Sequence, residues 1–576
     1  MTLFAHSPEV PSDAPSVAYA PDLILHNGTI ITVDSQFSIA QAVAIWDERF
    51  LAVGDNAPIL ALAGQGTRRV DLRGRTVIPG FIDAHFRLLD RATAQMYGAD
   101  ISLTESVAEM LDAIRDVAAR IRPGSIITTN AGWYPHMLRE QRAPTLAELD
   151  KAAPEHPVVL RGEFLFLNSR AMDKFGINAA TPQPDYGWIE QDPATGMPTG
   201  VLMGDAALLT RGMHSSFSQE QKKDALRWAL EACASAGVTT VREGGIEVAD
   251  LRCYQELWRT GELPIRVCAQ LALSTAPPAD EILDRFERLQ PANPLGDHWI
   301  RIDHVAYLFA DDDYHRMKVT PLIKGQRVPA DRVNRYFRDR CCPLEKIEKI
   351  ITGMARLGLS GGILAGGDRA IGDILQVLER ANLVADLTHR RWVISQAPYP
   401  QPQHYSQLRD LGIVLTPMWH HYYYYPALAG YHGEAFAQTM DPFRSLRRAG
   451  VRVGLGSDIS KVPLNYFAAL AYLHTRNTWK WGTVNPDEAL TREDALRMLT
   501  IDNAYVTFEE DVKGSIEPGK LADFVVLSAN PMTVSAEEIP SIRAVATVVG
   551  GRVVHREPGN DLALDAPDLQ WRGARV

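Results

Sequence analysis

No stretch of this 576-residue chain approaches the roughly 18 to 20 uninterrupted apolar residues that a membrane-spanning helix requires. A soluble protein with no membrane partner is expected. Basic residues are in the minority, 59 Lys and Arg against 70 Asp and Glu, for a formal net charge of -11. Both signs are interspersed, so there is no basic stripe to neutralise a phosphate backbone, and nucleic acid is excluded as a partner. Cysteine is scarce and odd in number: Cys233, Cys253, Cys268, Cys341 and Cys342. None lies in a CxxC pair or in metal-like spacing with histidine, a pattern that suits a reducing cytoplasm. Residues 1–22 hold neither the cationic start nor the apolar run of an export signal, and their Pro, Ser and Ala content reads as a flexible leader.

What is present is patterned in zones. At this length a large domain with a smaller companion is expected. From Leu23 the chain runs LILHNGTIITVD, AVAIWDERFLAVG and RRVDLRGRTVIPG, short apolar segments rich in Ile and Val, with Asn27-Gly28 as a hairpin signal. These predict a small antiparallel sheet. GSIEPGKLADFVVL, from Gly514 to Leu527, and AVATVVGGRVVH, from Ala544 to His555, have the same texture, with Gly550-Gly551 as a tight turn. In between, strand-like runs such as VIPGFIDAH, SIITTNAG, HPVVLRG, GVTTVREGG, IRVCAQLAL, WIRIDHVAYLF, GGILAG, RWVISQA, IVLTPMW and VRVGLGSD alternate with amphipathic helical stretches. That alternation predicts parallel strands with crossover helices, and over more than 400 residues a closed β/α barrel with insertions accounts for it better than an open sheet. In such a barrel the chemistry gathers at the C-terminal ends of the strands.

VIPGFIDAH ending at His85, GSD ending at Asp458 and GSIEPGKLADFVVL, together with VVLRGEFLFLNS, TGVLMGDA and GGDRAIGDILQVLE, resemble the amidohydrolase superfamily. The likeness is to its N-substituted formamide deformylase-like (amidohydrolase 3) and imidazolone-propionase-like branch, and it runs from about Leu23 to His555. It implies a metal-dependent hydrolase on a distorted (β/α)8 TIM-like barrel, a small β-sandwich built from both ends of the chain, and often a homodimer. The implied divisions are a leader (1–22), an N-terminal sandwich segment (23–76), the barrel (77–505), a C-terminal sandwich segment (506–557) and a C-terminal tail (558–576).

The resemblance also assigns metal ligands, and most of them are replaced. Its His-x-His pair falls on His85, Phe86 and Arg87. A guanidinium has no lone pair to offer and stays protonated, so Arg87 repels a cation rather than binding it. The family's lysine falls on Ala306 or Tyr307, its next histidine on Ala365 and the following one on Gln396. His85 and Asp458 are what remains, whereas a catalytic zinc ordinarily takes about three protein ligands. The expectation is therefore no bound metal and no other cofactor, with zinc as the cofactor if an unorthodox site exists.

Each remaining candidate has a functional and a structural reading. Asp458 is a general base or a helix cap; His85 is its acid–base partner or a retained structural histidine. Arg87 stabilises an oxyanion or clamps a carboxylate, or it fills a dead site as an ion pair with Asp458. Tyr307 offers a phenolic donor at a strand end. Trp419, His420, His421 and Tyr422 open an aromatic run that either stacks on a planar substrate or packs a loop. Gln396 replaces a ligand, Glu163 stands where relatives carry histidine, and Lys461 faces the pocket or solvent. The preferred expectation is a metal-independent enzyme that uses Asp458, His85, Arg87 and Tyr307 on a small aromatic substrate, by hydration, retro-aldol or lyase chemistry, isomerisation or hydrolysis of an activated bond. A metal-dependent hydrolase of amides, formamides or cyclic amides is the second reading, and a non-catalytic ligand-binding barrel the third.

Overall fold

The computed structural model describes residues 20–185, 187–210, 217–275, 277–289, 294–311, 316–320, 343–458 and 464–564. The two ends of the chain meet in a pair of sheets. One holds Arg49–Gly54, Ala42–Trp46, Leu23–His26 and Arg68–Asp71 in that order; the other holds Arg552–Arg556, Ala544–Val549, Phe524–Leu527, Thr76–Pro79, Thr29–Ile31 and Ile39–Ala40. Thr76–Pro79 joins the ends by pairing antiparallel with Phe524–Leu527. Leu25, Val43 and Phe50 from the first sheet and Val77, Phe524 and Val548 from the second share one apolar core, so neither sheet leaves its inner face in water.

Asn27-Gly28 does not make the predicted hairpin. Leu23–His26 and Thr29–Ile31 belong to different sheets, and the left-handed Asn27 (φ 56°) turns the chain from one to the other. A Cβ at Gly28 would stand 2.4 Å from Leu72 Cδ1, so the glycine is needed for a close crossing rather than for a two-residue loop. Nor is the opening wholly antiparallel, because Leu23–His26 pairs parallel with Arg68–Asp71. Gly550-Gly551 does make its turn: both residues have positive φ, as a type I′ connection requires, between Ala544–Val549 and Arg552–Arg556.

The middle of the chain is a mixed α/β unit built on parallel strands. Phe81–Phe86, Val238–Ile246, Arg266–Leu271 and Ile300–His304 pair in parallel, in that order. Tyr307–Phe309, Gly362–Leu364, Val393–Ser395, Val414–Thr416 and Arg452–Val453 form a second parallel series. At one seam the chain runs on from His304 into Tyr307. At the other, Ala84 N–H donates to Leu455 O (3.2 Å) and Asp458 N–H to His85 O (2.8 Å). Helices including Gln219–Ser235, Leu344–Arg356 and Asp368–Asn382 cover the strands through Leu226, Leu230, Ile347, Ile351, Ile371 and Leu375.

Two strand runs expected in this parallel series lie elsewhere. Ile127–Thr128 and Val158–Arg161 join Leu165–Leu167, Pro198–Gly204 and Gly187–Gln191 in a separate five-stranded sheet with its own core around Val107, Met110 and Ile114. An apolar run beside an amphipathic helix has the same local texture whichever sheet it enters, and only the distant pairing partner distinguishes the two cases. This unit is inserted between Phe81–Phe86 and its spatial neighbour Val238–Ile246.

Candidate active site

Phe81–Phe86 is buried along its whole length and ends at His85 and Phe86; Arg87 follows as the residue before the helix Leu88–Tyr97. The His85 carbonyl accepts the amides of Ser457 (3.1 Å) and Asp458 (2.8 Å), which brings the first and last strand ends together. Asp83, one step back on the same strand, reinforces the join. Its Oδ1 accepts from His85 N (2.9 Å) and Ser457 N (3.1 Å), and its Oδ2 accepts the Tyr466 hydroxyl. Burial pushes the Asp83 carboxyl up to about 6 despite these bonds.

Three of the expected site residues converge on the Asp458 carboxylate. Arg87 Nε lies 3.4 Å from Oδ1, His85 Nε2 lies 3.9 Å from the same oxygen, and Gln396 Nε2 donates to Oδ2 at 3.0 Å. The Asp458 side chain is 4 % exposed and that of Arg87 32 %, so the pair runs from the interior toward solvent. Asp458 (φ 46°) and Gln396 (φ 55°) are both left-handed, a conformation uncommon outside glycine that recurs at functional sites.

His85 is fully buried, and neither of its ring nitrogens has a hydrogen-bond partner among the described residues. Burial, reinforced by the charges of Arg87 and Arg242, holds its imidazole well below the ordinary range, so the ring is neutral. Two glycines make room for the residue: a Cβ on Gly244 would stand 2.5 Å from His85 Cε1 on the ring, and one on Gly456 2.6 Å from His85 Cβ. Tyr307 is buried beside it, with ring centroids 5.6 Å apart, and burial raises its phenol. Ala365 is buried at the end of Gly362–Leu364, and the loop after it is fixed by Asp311, which accepts from Gly366 N (2.8 Å) and Gly367 N (2.9 Å).

The aromatic run is not a loop. It enters the helix His421–His432, in which Tyr423, Tyr424 and Tyr425 are buried. Trp419, just before it, is fully buried against Tyr423 and Tyr466, and Tyr422 sits edge-on to Tyr423 and Tyr472. His420 Nδ1 is 3.0 Å from Ser457 O; a carbonyl only accepts, so Nδ1 carries a hydrogen. His421 turns to Asp441 (3.0 Å), which also accepts the Tyr472 hydroxyl, and so belongs to a different buried cluster. Glu163 accepts the Tyr431 hydroxyl, linking the inserted sheet to the aromatic helix. Lys461 lies outside the described residues.

Sequence reasoning misses Glu243. It lies in the C-terminal half of Val238–Ile246, is buried, and accepts the amides of Leu88 (2.8 Å) and Leu89 (3.3 Å). Burial pushes its carboxyl up to about 7. The signal is present in GVTTVREGG, where an apolar run ends in a carboxylate and two glycines at the height of the other strand ends. A cleft of about 320 Å³ opens here, bordered by Arg87, Glu243, Gly244, Gly245, Ile246 and Phe217, with the ion pairs Arg161–Asp90 and Lys222–Asp250 on its walls. Among the described residues no group of three or more His, Cys, Asp or Glu side chains is gathered in a way that could hold a metal ion.

The amidohydrolase family matches residues 68–555 of the chain. An N-substituted formamide deformylase from Arthrobacter pascens is 28% identical over 582 residues, covering 94% of this chain and 99% of its own. Protein LONG AFTER FAR-RED 3 from Arabidopsis thaliana is 28% identical over 557 residues, covering 94% and 93%. Among solved structures, an uncharacterized metal-dependent hydrolase from Pyrococcus furiosus has a TM-score of 0.65 at 24% identity, covering 89% of this chain and 100% of its own, a likeness of fold.

Proposed function

Because the chain belongs to the amidohydrolase family, we propose that it is a hydrolase that opens an activated carbon–nitrogen bond in a small aromatic substrate, using an organic cation where relatives use a metal. The observation that carries this reading is the Arg87–Asp458 ion pair at 3.4 Å, at the junction of the first and last strand ends. One imidazole and one carboxylate fall short of the three protein ligands a catalytic zinc ordinarily takes, and Arg87 adds a fixed positive charge. With Ala365 and Gln396 at the other ligand positions, these residues do not fit a divalent ion. The seam bonds between residues 84–85 and 455–458 support a closed, distorted (β/α)8 barrel around this point, with the paired end sheets as a sandwich.

In this reading Asp458 takes a proton from water as its oxygen attacks the carbonyl carbon. Arg87, with Tyr307 beside His85, holds the negative charge that develops on the carbonyl oxygen. Collapse breaks the carbon–nitrogen bond, and the proton on Asp458 passes to the departing amine. The neutral His85 orients the water and takes no net charge. The cleft at Arg87 and Glu243 is the approach to this centre, and the deformylase relative points to N-substituted formamides as the first class to assay. Phe217, which borders that cleft, supports an aromatic substituent.

A second reading, a metal-dependent hydrolase, is favoured by the two buried nitrogens of His85, neither of which has a hydrogen-bond partner among the described residues, as a ligating imidazole would stand without its ion. Elemental analysis of the purified protein separates the two, together with amine release from N-phenylformamide and related aromatic formamides with and without chelator. Turnover that survives chelation, in protein without stoichiometric metal, is the expected result. Stoichiometric zinc with loss of turnover on chelation establishes the second reading. Binding without turnover that Asp458→Asn leaves unchanged makes the chain a non-catalytic ligand-binding barrel.

A further inference from the structure

Arg87 occupies the N-cap position of Leu88–Tyr97, with non-helical dihedrals (φ −127°, ψ 66°) and no capping bond from its own side chain. The first amides of a helix have no partner within it, and the usual cap residues supply a side-chain oxygen. Arginine has no acceptor to supply. The bonds come instead from the neighbouring strand: Glu243 Oε2 accepts Leu88 N at 2.8 Å and Oε1 accepts Leu89 N at 3.3 Å. A carboxylate here is favoured by the helix dipole as well as by the two bonds.

The same strand end touches the rest of the site. Gly244 leaves room for the His85 ring, and Gly245 (φ 72°) for Tyr307, whose Cδ1 would be 3.0 Å from a Cβ there. The charged and titratable groups around Glu243 are Arg87 and Asp90 from the helix start, Tyr254 from Val248–Arg259 and Cys233 from Gln219–Ser235. Arg87 is the cation among them, and it borders the same cleft.

We infer that Glu243 is the positioning residue for Arg87. By capping Leu88 and Leu89 from the adjacent strand it fixes the backbone from which the guanidinium reaches Asp458, and its charge acts on that guanidinium together with the charge of Asp458. The inference rests on the proposed function only in treating Arg87 as the working cation, and its test involves no turnover.

The test follows modification of Arg87 by phenylglyoxal, an arginine-selective reagent, with peptide mass spectrometry as the readout. The rate is taken relative to Arg139, whose side chain is 72% exposed, so that the general rise of arginine reactivity with pH cancels. In wild type the Arg87/Arg139 ratio falls as pH rises from 6 to 8, because Glu243, with its carboxyl near 7, acquires its charge in that window and holds Arg87 more firmly. In Glu243→Gln the ratio rises several-fold at pH 8 and loses the inflection; Glu243→Asp, which keeps the charge on a shorter arm, retains the inflection. A cap with no effect on the guanidinium would leave the inflection absent from wild type and the ratio equal in all three proteins, and that result overturns the inference. Should Glu243→Gln not fold, the ratio is followed in Asp83→Asn, which removes the other nearby carboxyl that ionises around this range; an inflection that persists there supports the inference, and one that vanishes overturns it. A protein without hydrolase activity that shows the inflection still supports the positioning role.

Discussion

Replacing Asp83 with asparagine isolates a single buried titration with little disturbance of geometry. Both strand-end amides, His85 N and Ser457 N, bond to the same oxygen, Oδ1, which asparagine retains. The other oxygen accepts the Tyr466 hydroxyl; an amide there donates to the phenol oxygen, and the hydroxyl hydrogen turns toward the Ser457 side chain, which already lies within reach. What disappears is the ionisation. Burial raises Asp83 from 3.8 to about 6 in the folded protein, so the wild-type fold binds that proton more tightly than the unfolded chain does. Stability from this group is therefore complete below the unfolded value and is lost as pH rises through the folded one. The full difference is about 3 kcal/mol, of which about 2 kcal/mol is crossed between pH 4.5 and pH 8. With an unfolding entropy of about 2.1 cal/mol/K per residue, a chain of this size gains or loses roughly 1 °C in Tm per kcal/mol. Scanning calorimetry at a fixed scan rate should find the Tm of Asp83→Asn, relative to wild type, higher by roughly 2 °C at pH 8 than at pH 4.5. A Tm gap that is the same at both pH values refutes the reasoning, because it leaves no ionisation of Asp83 in that range.

Arg87→Met removes the cation beside Asp458. After discounting for its partial exposure, about 1 to 2 kcal/mol of stability should go, and formamide turnover should fall by roughly 10²- to 10³-fold; wild-type turnover in this variant would exclude charge stabilisation by Arg87. Placing imidazoles where the resemblance implies metal ligands, with Arg87→His, Ala365→His and Gln396→His together, should create stoichiometric zinc binding measurable by calorimetry. A triple variant that folds and binds no zinc would show that these strand ends do not converge on one point.

The framework of the centre was legible because its signals are local. An apolar strand run that stops at a histidine or an aspartate marks a strand end, and at both His85 and Asp458 the run and its stop coincide with the backbone join between residues 85 and 457–458. Gln396, singled out because it stands where the resemblance implies a histidine, donates to the Asp458 carboxylate. What local pattern did not carry was pairing. Ile127–Thr128 and Val158–Arg161 read like barrel strands and joined another sheet; Asn27-Gly28 read like a hairpin and joined two sheets; His421, adjacent to His420 in sequence, turned to Asp441 instead of the strand end. Each of these outcomes depends on which distant segment offers a partner.

Arg87 shows how the two kinds of information combine. Read alone, it is a charge in place of a ligand, and its cost is electrostatic. In the fold it has a second cost, because the position it occupies opens a helix and calls for an acceptor that arginine lacks. Glu243 offsets both at once, with two bonds to the amides after Arg87 and a charge opposite to that of the guanidinium. A neutral imidazole at residue 87 would not need the opposite charge, whereas the amides of Leu88 and Leu89 would still need their acceptor. The residues that accommodate Arg87 are therefore to be sought on the neighbouring strand as well as among the groups it meets, and here that strand segment, Glu243-Gly244-Gly245, contacts the helix after Arg87, the His85 ring and the Tyr307 ring in turn.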